Sequence, residues 1–146
     1  MPHPLPPDNR DAIRQAYCQV WQKHRTQTAL EPLEQLILDV ILEHPEYQAL
    51  LADEERAMAT DFLPEAGETN PFLHMGMHIA IREQLGCDRP AGIRALYQQL
   101  LIKKGDAHRV EHDMMECLGH ALWQAQRNQA TPDDTDYLNC LRTLVS

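Results

Sequence analysis

The feature that most constrains this chain is where its prolines, glycines and capping side chains fall. Pro32, Pro45, Pro71 and Pro90 each open a stretch whose apolar residues recur at the helical period, and Gly86 and Gly105 each close one. Proline at the first helical position sacrifices no hydrogen bond, because the N–H there has no partner inside the helix. Glycine just past the last turn adopts the left-handed conformation that ends it. Asp8 caps a first helix running to about residue 25, with Ile13, Ala16, Tyr17, Val20 and Trp21 on one face. A second begins at Pro32 and presents Leu33, Leu36, Ile37, Val40 and Ile41; His44-Pro45 breaks it and starts a short third over 45–52. Residues 53–69 hold Pro64, Gly67 and many carboxylates, which predicts a loop with one helical turn near 56–61. Four more helices follow: from Pro71 to Gly86, from Pro90 to Gly105, from the Asp106 cap to about Asn128, and from Pro132-Asp133-Asp134 to the end. No alternating run and no Asn-Gly or Asp-Gly turn signals a strand. The expected fold is all-α. It is a single-domain helical bundle over 8–146, of about five main helices plus one or two short ones, behind a flexible Pro-rich tail over 1–7.

Charge narrows the partners. The 22 acidic residues outnumber the 13 basic ones, for a net charge of -9. A phosphate backbone needs a cationic face, so nucleic acid is not expected. The longest greasy run, residues 36–42, is interrupted by Asp39 and falls far short of the ~20 residues that span a bilayer. No membrane association is therefore expected. The N-terminus has neither a cationic start nor an apolar core of the signal-peptide kind, so a cytoplasmic location is expected. Cys18, Cys87, Cys117 and Cys140 form no C-x-x-C pair and read as reduced thiols. Cys117 falls on the apolar side of its helix as a small core residue. Cys18 projects to the polar side of the first helix, as the more reactive thiol.

The chemistry lies in the histidines. Four of the eight form the pairs His74/His78 and His108/His112, each with i,i+4 spacing, so both rings of a pair can reach one point. Along the fourth helix His74 and His78 share a face with Ile81 and Leu85, and the first turns are apolar on nearly all sides, the pattern of a buried helix. Buried imidazoles must be hydrogen-bonded or ligated. In the long sixth helix Val110, Met114, Cys117, Leu118, Ala121 and Ala125 define the apolar centre. His108 and His112 lie about 120° and 160° from that centre and Glu111 lies inside its border, while Glu116 and His120 fall on the solvated side. Residues 108–112 also match H-x-x-E-H, a zinc and general-base signature of inverted zinc peptidases. Those enzymes are far larger and take a third ligand well downstream, where this chain offers no Glu after Glu116. His24 and His44 close helices and read as structural, and His3 belongs to the tail.

The segments 70–78 (NPFLHMGMH) and 105–118 (GDAHRVEHDMMECL), together with His44-Pro45-Glu46-Tyr47, resemble a small bacterial family, the domain of unknown function 1841 family. The resemblance covers most of the chain and implies a compact all-α protein of about this length. It implies no activity.

Two functions compete. The first is a metal-binding helical protein, in which His74, His78, His108, Glu111 and His112 hold one divalent transition metal. Zinc comes first and iron or nickel are alternatives, with no nucleotide or organic cofactor. The second is a non-catalytic acidic interaction or structural module whose histidines are core hydrogen-bonding residues, with a protein partner or a homo-oligomer left open. Catalysis is left open under the first.

Overall fold

A computed structural model describes residues 9–62 and 70–146. The expected tail over 1–7, the Asp8 cap, Pro64 and Gly67 lie outside the described residues. Among those residues every regular element is a helix. Six of the helices among the described residues are 11 residues or longer, where about five main ones were expected. None is long and apolar enough to cross a membrane. The fold divides into two compact units, Met1–Gly76 and Met77–Ser146.

In the first unit α1 (Asn9–Arg25) packs against α2 (Pro32–Leu42), α3 (Gln48–Ala52) and α4 (Glu54–Ala59), with a 3-10 turn at Pro45–Tyr47. Pro32 opens α2 as its spacing predicts, and Glu31 and Glu34 cap it reciprocally, each side chain accepting from the other's backbone N–H. Tyr17, Val20, Val40, Ile41, Leu51, Ala57, Phe72 and Met75 form the core. The buried arc of α1 is wider than its apolar stripe, because three helices cover it. Arg14 is only 3% exposed, donating from Nη1 to the Ala57 and Thr60 carbonyls at 2.9 and 2.7 Å, with its guanidinium 4.9 Å over the Phe72 ring. Ile13 and Leu33, expected inside, are exposed. Cys18 is also buried, against the expectation of a polar-side thiol. Burial, with the Glu54 charge second, pushes it up to about 11, so it is not the reactive cysteine.

The second unit comprises the later part of α5 (Pro71–Cys87), then α6 (Ile93–Lys104), α7 (Ala107–Arg127) and α8 (Asp134–Val145). Asp106 and Asp133 cap α7 and α8 through the backbone N–H groups of His108 and Thr135. Helix α6 starts at Ile93 and not at Pro90: the Asp88 carboxylate accepts from Gly92 and Arg94 N–H, so the first orphan donors are satisfied only from that point. Gly92, at φ 95°, makes the left-handed turn that this entry needs. Ile81, Ile93, Leu100, Val110, Met114, Tyr137 and Leu141 form the core of this unit.

The four-thiol expectation is corrected here. Cys117 on α7 and Cys140 on α8 are disulfide-bonded, leaving Cys18 buried and Cys87 exposed as the free cysteines. The pairing is long-range, and no local spacing encodes it. Each unit carries one tryptophan: Trp21 is half-buried beside His24, and Trp123 is 54% exposed with the Arg127 guanidinium 5.3 Å over its ring.

Candidate metal centre

Four of the five expected ligands, three histidines and the Glu111 carboxylate, meet in the second unit. The Asp106 cap fixes where α7 begins, which places His108, Glu111 and His112 in its first two turns. From α5 comes His78, fully buried on the apolar helix that the sequence implied. Its Nδ1 lies 2.7 Å from Glu111 Oε1 and its Nε2 lies 3.1 Å from His112 Nε2. The His108 ring packs 4.2 Å from His112 and 5.5 Å from His78, centroid to centroid. Burial grades across the group, from His78 and Glu111 inside to half-buried His112 and exposed His108. Glu116 and His120 are exposed.

The protonation states follow from Glu111. Burial alone would raise its carboxyl, but the His78 hydrogen bond and the Arg82 charge together outweigh that and hold it below the usual carboxylate range. Arg82 donates from Nε to the same Oε1 at 3.0 Å. An ionised carboxylate only accepts, so His78 Nδ1 must carry the proton it donates. In neutral His78, Nε2 is then the lone-pair nitrogen, and it faces His112. A carboxylate that fixes the tautomer of a ligating histidine is a common companion of metal sites. Two imidazole nitrogens bound at 2.0–2.1 Å to one tetrahedral ion stand roughly 3.3 Å apart. The observed 3.1 Å separation lies close to that value.

Beside His44, which the sequence reading assigned to structure, Arg82 is the residue that sequence reasoning missed. Its signal was present, because it continues the His74/His78 ladder by one further turn. His74 lies in the first unit, where its half-buried ring meets His44 edge-on at 5.1 Å. There His44 stacks on Tyr47, and its Nδ1 donates to the Val40 carbonyl at 2.7 Å, which makes Nε2 the acceptor nitrogen. Both units thus present ring nitrogens with the capacity to ligate a metal: His44 and His74 in the first, His78 and His112 in the second.

A family model described as a domain of unknown function (DUF1841) matches residues 9–143. The chain belongs to this family. No curated protein and no solved structure matches the chain. For this DUF1841 member the chemistry must therefore come from the residues. What the arrangement offers is a buried, tautomer-locked imidazole backed by an ionised carboxylate and facing a second imidazole, with a third at the surface beside it.

Proposed function

We propose that the protein binds one divalent transition metal through histidines of α5 and α7. In this reading His78 Nε2 and His112 Nε2 are ligands, and His108 completes the set from the solvent side. Glu111 aligns His78 from behind. Imidazole-rich sites favour zinc first, with iron or nickel as alternatives. The observation that supports the reading is the 3.1 Å approach of two Nε2 atoms, with His78 Nδ1 donating to Glu111 so that the neutral ring turns its lone pair toward His112. The H-x-x-E-H carboxylate is engaged with His78 and Arg82, which suits an orienting group better than a general base.

The same distance supports a second reading. An N–H···N bond from His112 to His78 has an ordinary length of about 3 Å, so the cluster is also complete as core hydrogen bonding in a structural or interaction module.

Metal analysis of protein made without a histidine tag separates the two. The proposal expects about one equivalent of metal, lost in His78→Ala and His112→Ala. In that case a chelator and either substitution lower the melting temperature by similar, non-additive amounts. Below about a tenth of an equivalent after zinc incubation, the metal reading fails and the core-histidine reading stands.

A further inference from the structure

We infer that the Cys117–Cys140 bond is a redox latch that sets how firmly the histidine-bearing segments of α5 and α7 are held together. The inference rests on the metal reading for its functional consequence, though its physical test does not require metal.

The argument comes from what α8 joins. Through Cys140 it is covalently tied to Cys117 on α7. Through Tyr137 it is tied to α5, the phenol donating to Gln84 Oε1 at 2.8 Å. Helices α5 and α7 are the two that bring His78 and His112 together, and α8 bridges them on the core side. Its remaining hold is packing, chiefly Tyr137 and Leu141 in the shared core, and the bonds from Lys103 Nζ on α6 to the Leu144, Val145 and Ser146 carbonyls at its far end. Opening the disulfide leaves α8 tied to α7 by packing alone and to α5 by packing and the Tyr137 bond. Cys117 lies five residues beyond His112 on the same helix, so slack at Cys117 is felt at the ligand turn.

The two cysteines are not equally buried. Cys117 is 2% exposed, whereas Cys140 is half-buried. A dithiol therefore attacks at Cys140. Its thiolate forms a bond to Cys140 Sγ, and the Cys117–Cys140 bond breaks. Cys117 leaves with the electron pair and takes up a proton, because a thiolate is disfavoured in its apolar surroundings. The second thiol of the reductant then gives up its proton and closes on the first sulfur, releasing Cys140 as a thiol. The dithiol is oxidised by two electrons and the protein is reduced by two. Re-oxidation by a small disulfide runs the same steps backwards.

The test compares the full-length chain, oxidised and after treatment with dithiothreitol followed by its removal under nitrogen. Amide hydrogen exchange is read by mass spectrometry, with a zinc titration alongside. On reduction, exchange over α8 and over 107–115 of α7 is expected to rise by about tenfold or more while the first unit keeps its rates. Zinc affinity falls by about tenfold in the same samples. The Cys117→Ser/Cys140→Ser double variant should reproduce the reduced pattern, and oxidised glutathione should restore the original one only in the parent. Unchanged exchange after full reduction overturns the latch, as does a bond that dithiothreitol cannot reduce in the folded chain. If zinc binds neither form while exchange responds, the metal reading fails and the latch survives it.

Discussion

Replacing Glu111 with alanine removes two charge-assisted hydrogen bonds, and their environments make them unequal. Arg82 is about one-fifth exposed, with a side-chain exposure of 21%, and can turn its Nε toward water, so its loss costs about 1 kcal/mol or less. His78 is fully buried, and its Nδ1–H would lose its acceptor where no solvent reaches, which costs about 2–3 kcal/mol. The sum of about 3 kcal/mol corresponds to a fall of roughly 6–12 °C in melting temperature for a chain of this size. Glu111→Gln keeps an acceptor oxygen for His78 but not the charge, and should lose about half as much. The pH dependence carries a definite sign. Because the folded carboxyl sits below its unfolded value, its contribution is fully present above the unfolded pKa and disappears as pH falls through the folded one. The difference between parent and Glu111→Gln should therefore be constant from about pH 6 upward and shrink in acid. Differential scanning calorimetry across pH provides the energies, and long-range nitrogen–proton NMR reads the His78 tautomer. If Glu111→Ala melts within about 1 °C of the parent, or Nδ1 of His78 proves unprotonated in the parent, the tautomer argument and the lone-pair assignment fall together.

Two further outcomes follow from the first unit and the free thiols. Arg14→Ala should destabilise by about 2–3 kcal/mol in urea melts, because it orphans the Ala57 carbonyl and uncovers the Phe72 ring, and Arg14→Met should recover part by restoring the stem; equal stability of the parent and Arg14→Ala would refute that account. Iodoacetamide at pH 8 should label exposed Cys87 well ahead of Cys18, whose thiol is buried and pushed up to about 11, with peptide mass spectrometry as the readout; preferential labelling of Cys18 would reverse the assignment.

Helix content was legible because its signals are local. Pro32, Asn70-Pro71, Asp106 and Asp133 act within a few residues of themselves, and the helices begin where they stand. Pro90 misled because the start of α6 depends on Asp88, whose carboxylate reaches forward six residues to Arg94. Amphipathic reading of α1 erred at Cys18 and passed over buried Arg14 for one reason. A stripe read from sequence assumes one covering surface, whereas α2, α3 and α4 cover α1 on several sides. The convergence of His78 with Glu111 and His112 was half legible. Spacing placed the groups on helix faces, and the wide apolar character of α5 indicated that His78 is buried. It could not show that Glu111 would engage His78 and Arg82, nor that Cys117 would find Cys140, because those partners are 29 to 33 residues apart or on another helix.

The placement of the two tryptophans governs how any of this can be watched. Trp21 is half-buried within the first unit, so loss of that unit shifts its emission toward the red. Trp123 already stands largely in water beneath Arg127, so melting of the histidine-bearing unit scarcely changes its colour. Indole fluorescence therefore tracks one half of the molecule and is nearly silent about the other. A dye-free optical screen for zinc would register little even where binding is tight, and heat capacity or exchange is the signal to follow.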